Sequence, residues 1–294
     1  MKNLPIEDLI ERARILTEAM PYINAFRGAV VVIKYGGHAM IDEDLKRTVI
    51  QDIVLMELVG MKPVVVHGGG PEITALMKKL NLQPKFVEGQ RVTDAETLEV
   101  AEMVLAGKLN GEIVNSINQT GGRAVGLSGK DGGLILASKL GAGEDGTADI
   151  GFVGEVESVH PRIISILTEN QFIPVIAPIG VDRNGQTYNI NADSVAGAIA
   201  IALKSAKLIL LTDVKGIYRD PKDESSIMPT IYTGEVEGLI EKGVITGGMI
   251  PKTRGCVEAI RKGVGKTHIL DGRVPHSLLL ELFTDRGIGT QIIP

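Results

Sequence analysis

The chain has 294 residues, enough to bury about three quarters of its extended surface as one large domain or two closely joined lobes. A net charge of -5 argues against a phosphate-backbone footprint but not against a small anion in a locally positive cleft, and 3% aromatics with no tryptophan leave no broad stacking platform. The single cysteine, Cys256, excludes an intrachain disulfide, and no uncharged apolar stretch reaches membrane-spanning length, so a cytoplasmic enzyme or binding protein is expected.

Ile6, Leu9, Ile10, Ala13, Leu16 and Met20 recur at helical spacing, with Pro5 suited to the first turn and Pro21 expected to stop the helix. This arm must bury its apolar stripe on its own body or on another subunit, because an isolated helix so short is marginal in water. Residues 29–37 (AVVVIKYGG) read as a buried strand running through Lys34 into Gly36 and Gly37. Residues 62–70 (KPVVVHGGG) repeat the pattern after a helical stretch over 42–60. Taken singly, each glycine-ended strand is compatible with a plain tight turn. In tandem, one of them led by a lysine, they gather a cation and exposed N–H groups where strands of a parallel sheet end, and residues 71–80 add a helix N-terminus to the second.

Residues 86–94 form a polar connection holding Arg91, which is either a solvated charge or a planar fork for a carboxylate, and a helix follows over 95–109. Residues 123–156, broken by Gly, Asp and Ser, read as an antiparallel insertion of hairpins with Lys130 and Asp131 in a turn. A helix over 162–169 and a strand over 172–179 lead to a polar segment. There Asn189, Asn191 and Asp193 alternate, so an extended backbone sends all three to one side, while Asp193 is also placed to cap the next helix. The strand over 206–213 ends in a loop from Thr212 to Gly216 of the kind that lodges a nucleotide. Residues 246–252 (TGGMIPK) bring back glycines with a lysine and open a helix over 253–262. A strand over 266–270, a helix over 276–283 and a short strand near 289–293 close the chain. The five histidines and the carboxylates show no metal-ligand spacing, so no metal ligand is named.

Glycine-rich anion sites with lysines near opposite ends of the chain suit phosphoryl transfer, whose demands are positioning and positive charge. Lys34 and Lys252 would flank the transferred group and Asp193 would hold both ammonium groups in line. The P-loop and protein-kinase motifs are absent, and so is the G-x-G-x-x-G of a dinucleotide oxidoreductase. No general base is evident, and an acceptor that is already a carboxylate, with a pKa of about 4.3, needs none. A non-catalytic metabolite sensor is expected to lack one of Lys34, Lys252 and Asp193, and all three are present.

YGG after Lys34, VVHGGGP, NINAD, LLTDVKG and ITGGMIPK, in this order within residues 29–294, resemble the amino-acid kinase family. The resemblance implies an α/β fold, a three-layer open αβα sandwich with a mainly parallel central sheet. It divides the chain into a helical arm (1–28), an acceptor lobe with dimer contacts (29–180) and a nucleotide lobe (181–294). It also implies ATP with Mg2+ carried by the nucleotide, and N-acetyl-L-glutamate as acceptor. By that resemblance Lys34 and Lys252 stabilise the transition state and Asp193 orients them. Gly69, Gly70, Arg91, Asn189 and Asn191 hold the acceptor, with Arg91 on its α-carboxylate. Gly36, Gly37, Thr212, Asp213, Lys215, Gly216, Tyr218 and Met249 hold the nucleotide. Kinases of this family with such an arm are similar to homo-hexamers, trimers of dimers inhibited by arginine, which implies an effector site at Tyr22, His268, Glu281 and Gly287. A closed ring also leaves no apolar stripe uncovered.

Overall fold

A computed structural model describes residues 5–87, 89–141, 149–220, 222–284 and 287–294. The first half of the chain comprises α1 (Ile6–Glu18), α2 (Met20–Phe26), β1 (Val30–Tyr35), α3 (Glu43–Leu58), β2 (Lys62–His67), α4 (Gly70–Lys79), β3 (Phe86–Val87), β4 (Gln90–Arg91), α5 (Ala95–Glu102), a π-helical stretch (Met103–Leu109), α6 (Asn110–Gln119) and β5 (Ala124–Ser128). It continues through β6 (Ile135–Lys139), β7 (Val153–Val159), α7 (Arg162–Glu169), β8 (Ile173–Ala177), β9 (Ile179–Val181), β10 (Thr187–Ile190), α8 (Ala192–Ala202) and β11 (Lys207–Thr212). The last elements are β12 (Thr230–Tyr232), α9 (Val236–Glu241), α10 (Met249–Arg261), β13 (Lys266–Asp271), α11 (Ser277–Leu282) and β14 (Thr290–Ile293).

The apolar runs build one eight-stranded sheet in the order β12-β14-β13-β11-β1-β2-β8-β5. It is parallel except where β14 runs against β13. Side chains of β1 alternate between its faces, which is why the strand reads as continuously apolar. Val32 packs with Val195 and Ile199 of α8 and with Val257 and Ile260 of α10. Val31, Ile33 and Tyr35 pack with Ile50 and Ile53 of α3, Ile113 of α6 and Leu278 of α11. Helices on both faces make the expected three-layer sandwich.

Several expectations change in detail. Pro21 does end α1, but it also opens α2, since a residue without an N–H is tolerated in a first turn. The polar connection at 86–94 contains a short antiparallel hairpin, β3 with β4. The helix expected to stop at 109 runs on through the π-helical stretch to Gln119. Within 123–156, of which 142–148 lie outside the described residues, only β6 and β7 form a hairpin; β5 is a parallel edge strand beside β8. The strand expected over 172–179 splits around Pro178, which has no N–H for a ladder. β8 stays in the main sheet while β9 joins β6, β7 and β10 in a small closed barrel. Asp131 accepts from the backbone of Ser128 at 2.6 Å, and Lys130 reaches Glu102, in keeping with a turn.

α1 buries no residue, and Ile6, Leu9, Ile10 and Leu16 stand exposed along it. α2 is seated instead, with Phe26 against the core and its ring 4.8 Å from the Lys207 ammonium. Asp52 of α3, fully buried, is bonded at 2.6 Å to His276, the residue that opens α11 on the same face. Burial raises the Asp52 carboxyl to about 6, against the opposing pull of His276. The folded chain therefore holds this proton more tightly than the unfolded one, so the associated stability is full below about pH 4 and lost as pH rises through 6. Asp52→Asn, uncharged throughout, is expected to gain on the unsubstituted protein by roughly 2 to 3 kcal/mol between about pH 4 and about pH 8 in urea unfolding. An offset equal at both pH values would show that the fold does not raise Asp52.

Candidate active site

Three elements on one face of the sheet bring the central charges together. Lys34 lies two residues after Val32 on β1 and so points to the same face, where α8 and α10 pack. Asp193 and Lys252 stand in the first turns of those helices. One Asp193 oxygen is 3.3 Å from the Lys34 ammonium and the other is hydrogen-bonded by Lys252. With side chains only 13%, 25% and 17% exposed for Lys34, Lys252 and Asp193, the three charges are largely out of water. Burial opposes ionisation of Asp193, but the two ammonium groups outweigh it and hold the carboxyl below its ordinary value. Capping falls to a neighbour: Asn191 accepts from the Asp193 N–H at 2.8 Å, which frees the Asp193 carboxylate for the lysines. The strand ends at Ile190 and the extended backbone at Asn191, the N-cap, so Asp193 lies within the helix. Asn189 reaches Thr93 at 3.4 Å, whereas Asn191 already belongs to the helix start.

Lys34, Gly36, Gly37, Gly69, Gly70, Arg91, Asn189, Asn191, Asp193 and Lys252 all line one cleft of about 1120 Å³. Three of its glycines are crowded where a side chain would begin. A Cβ on Gly36 would stand 2.5 Å from the Lys34 ammonium, so a side chain there would stop the lysine folding back over the loop. Gly37 combines a φ of +69° with the Asp213 carboxylate packed where its side chain would begin. That carboxylate accepts from the His38 N–H at 2.7 Å, tying the loop after β11 to the loop after β1. A Cβ on Gly69, at the start of α4, would meet Leu105 at 2.6 Å. Arg91 is buried rather than solvated. It donates to the Gly70 carbonyl at 2.9 Å and the Thr74 hydroxyl at 2.8 Å and stacks 4.8 Å from the centre of the Phe86 ring.

The remaining nucleotide candidates sit beside the cleft rather than in its lining. Thr212 turns its hydroxyl inward to the Val214 and Leu270 carbonyls, and Lys215 follows in the same loop. Gly216 packs against Thr290, Tyr218 pairs with Ile227, and Met249 leans on the core. At the opposite end of β11 and β13, His268 bonds Glu281 at 2.7 Å, and Glu281 also accepts from Ile288 at 2.8 Å. Gly287 leaves room for that carboxylate, and Tyr22 stands one turn before Phe26 on α2. Lys207, not singled out from the sequence, joins this group with its ammonium 3.2 Å from His268. Burial lowers it to about 8. Its only signal was a lysine opening an apolar strand. His67 and Asn110, also not singled out, lie beneath the glycines of α4.

An α/β sandwich whose strand ends and helix N-termini gather two lysines, one shared carboxylate and glycine-loop N–H groups has the site of a phosphotransferase. The model of the amino acid kinase family matches residues 29–271, and the chain belongs to that family. It is 58% identical over 290 residues to the acetylglutamate kinase of Heliobacterium modesticaldum, covering 97% of this chain and 98% of that one. The acetylglutamate kinase of Moorella thermoacetica is 56% identical over 290 residues, with the same coverage of 97% and 98%. Among solved structures, N-acetylglutamate synthase from Neisseria gonorrhoeae, complexed with coenzyme A and N-acetyl-glutamate, superposes with a TM-score of 0.84 at 27% identity. The match covers 96% of this chain and 63% of the synthase.

The glycine geometry makes a paired prediction. Gly69→Ala must push against Leu105 and is expected to cost about 1–3 kcal/mol of stability. Gly70→Ala meets nothing within 4 Å and is expected to stay within about 0.5 kcal/mol. Thermal unfolding of both variants checks this, and equal losses would contradict the close packing at Gly69.

Proposed function

We propose that the chain transfers the γ-phosphoryl group of ATP to the side-chain carboxylate of N-acetyl-L-glutamate, giving N-acetyl-L-glutamyl 5-phosphate and ADP, a step of arginine biosynthesis. The observation that carries this reading is the Lys34–Asp193–Lys252 cluster in a glycine-lined cleft. The acceptor's identity is supported by near-full-length similarity to acetylglutamate kinases. A cytoplasmic location fits a chain in which, among the described residues, no helix is long and apolar enough to cross a membrane.

The acceptor carboxylate, ionised at neutral pH, attacks phosphorus and the bond to the bridging oxygen of ADP breaks, with no proton to remove. Lys34 and Lys252 meet the negative charge on the oxygens in flight from two sides. Asp193 holds the ammonium groups together before substrate arrives, so little reorganisation is left to the reaction. Arg91, already turned toward the first turn of α4, reads the acceptor's α-carboxylate, and Asn189 and Asn191 read its acetamido end. Gly36, Gly37, Gly69 and Gly70 offer N–H groups to the phosphates and the acceptor. The loop from Thr212 through Asp213, Lys215 and Gly216 to Tyr218, with Met249, takes the nucleotide. Mg2+ arriving on the triphosphate would neutralise part of its charge there. The division into an acceptor lobe (29–180) and a nucleotide lobe (181–294) is supported by the sheet order, in which β1, β2, β8 and β5 lie on one side and β11, β13, β14 and β12 on the other.

The test is an acceptor panel with ATP, read by ADP release and by trapping acyl phosphate with hydroxylamine. N-acetyl-L-glutamate is expected to give the hydroxamate, and turnover only with another acceptor would overturn the reading. In the same assay Lys252→Ala is expected to lose ~100-fold in kcat, equivalent to about 2.7 kcal/mol, with a smaller change in KM for ATP. A KM effect alone would contradict its role.

We propose further that the arm assembles the chain into a homo-hexamer, a trimer of dimers, inhibited by arginine. The exposed stripe of α1 supports the first part. The second is supported by the buried Glu281 and His268 with Gly287, facing an α2 that carries Tyr22 and Phe26. Glu281 would pair with the arginine guanidinium. Deleting residues 1–25 is expected to leave an active dimer that arginine no longer inhibits. Light scattering with an arginine titration decides it, and a full-length protein of dimer mass, or unchanged inhibition after truncation, ends the proposal.

A further inference from the structure

His67 closes β2 and lies with no exposed surface directly under the glycines that open α4. Its Nδ1 is 2.8 Å from the Gly68 carbonyl oxygen, and its Nε2 is 3.2 Å from Nδ2 of Asn110. A carbonyl can only accept, so Nδ1 carries the proton and donates, and Nε2 accepts from Asn110. The Asn110 amide is oriented in turn, because its nitrogen also donates to the Val175 carbonyl at 2.9 Å. Its oxygen fills the space where a side chain at Gly126 would begin. Burial drives the ring's pKa down to about 4 against the opposing Gly68 bond, so the imidazole stays neutral in the working range.

The orientation passes to the cleft through the planarity of one peptide. A trans peptide points its C=O and its N–H in opposite directions, and the chain contains no cis bond among the described residues. With the Gly68 carbonyl drawn inward onto His67, the N–H of Gly69 faces outward, toward the cleft that both glycines line. The π-helical stretch completes the seat. It brings Leu105 and Leu109 against Gly69 and starts α6 with Asn110 beside His67, an irregularity of the sort that recurs at functional sites.

We propose that His67 and Asn110 are positioning residues for phosphoryl transfer, locking the Gly68–Gly69 peptide so that the Gly69 N–H meets an oxygen of the phosphoryl group in flight. This rests on the phosphotransferase reading above. Neither side chain touches substrate; they act through the peptide, as the supports of an oxyanion site do.

Two measurements test it. Ring 15N shifts of His67 in the unsubstituted protein are expected to report the neutral Nδ1–H tautomer from about pH 5 to about pH 9. The Nε2–H tautomer, or titration within that range, would overturn the proposal without reference to any substrate. Of two variants, His67→Asn keeps a donor in place of Nδ1, whereas His67→Leu keeps none. His67→Leu is expected to lose ~100-fold in kcat, with KM for ATP nearly unchanged and a similar loss of affinity for ADP with aluminium fluoride and acceptor. His67→Asn is expected to stay within ~5-fold, although both lose comparable thermal stability. Equal kcat losses in the two would reduce His67 to a packing residue. If His67→Leu does not fold, the tautomer still decides. An unsubstituted enzyme that forms no hydroxamate from N-acetyl-L-glutamate would sink the acceptor assignment alone and leave the tautomer result standing.

Discussion

Asp193 holds together two ammonium groups that would otherwise repel one another. Two like charges held against one carboxylate repel more strongly where water is scarce, and the three side chains here are largely shielded from water. One carboxylate, kept ionised by the same pair, turns that repulsion into a shared ion pair. Much of the fold serves to deliver these three groups. β1 is a central strand whose alternation points Lys34 to the face covered by α8 and α10, and each helix presents its residue from its first turn. The positive ends of both helices therefore face the same cleft as the lysines, and the site favours anions twice over.

The glycine loops follow from the same constraint. A cleft for a triphosphate and a carboxylate needs backbone N–H groups within reach of the ligand, and side chains would hold the ligand away. Each critical glycine is also crowded by a particular neighbour: Lys34 over Gly36, Asp213 against Gly37, Leu105 against Gly69. The space that a side chain would take is used to pin the loop. Loops held by such contacts keep their N–H groups in place, which is what preorganised electrostatic catalysis requires.

Lys34, Lys252 and Asp193 were legible in the sequence because each stands beside a run of glycines or a small-residue helix start, and the apolar strands gave the sheet. What could not be read were features decided by competition between neighbours. Asn191 and Asp193 are both able to cap α8, and only the pull of two lysines from distant parts of the chain decides that Asn191 does so. Pro178 divides a uniformly apolar run between two sheets, a choice that rests on where β10 lies. Arg91 looked like any loop arginine, and it is buried because Phe86 and the first turn of α4 enclose it. His67 carried no signal beyond its place before three glycines, since its proposed role depends on Asn110, 43 residues further along the chain.

In the proposed two-lobe reading, the halves of the sheet meet between β1 and β11, and this would decide how the proposed effector could reach the chemistry. β11 carries Lys207, beside His268 and Glu281, at one end and leads into Asp213, tied to the loop of β1, at the other. A hydrogen-bonded strand of six residues is a strut roughly 20 Å long that neither stretches nor bends easily. A ligand at the Glu281 end therefore cannot act by deforming it. It can act by favouring one angle between the halves over another, through a difference in its own contacts in the two states. Asp193 and Lys252 both belong to the carboxy-terminal half, so their bond is indifferent to that angle. Lys34 belongs to the amino-terminal half, and its 3.3 Å approach to Asp193 spans the seam. In the proposed reaction, a change of that angle would move Lys34, together with Gly36 and Gly37 that follow it, relative to Asp193 and Lys252.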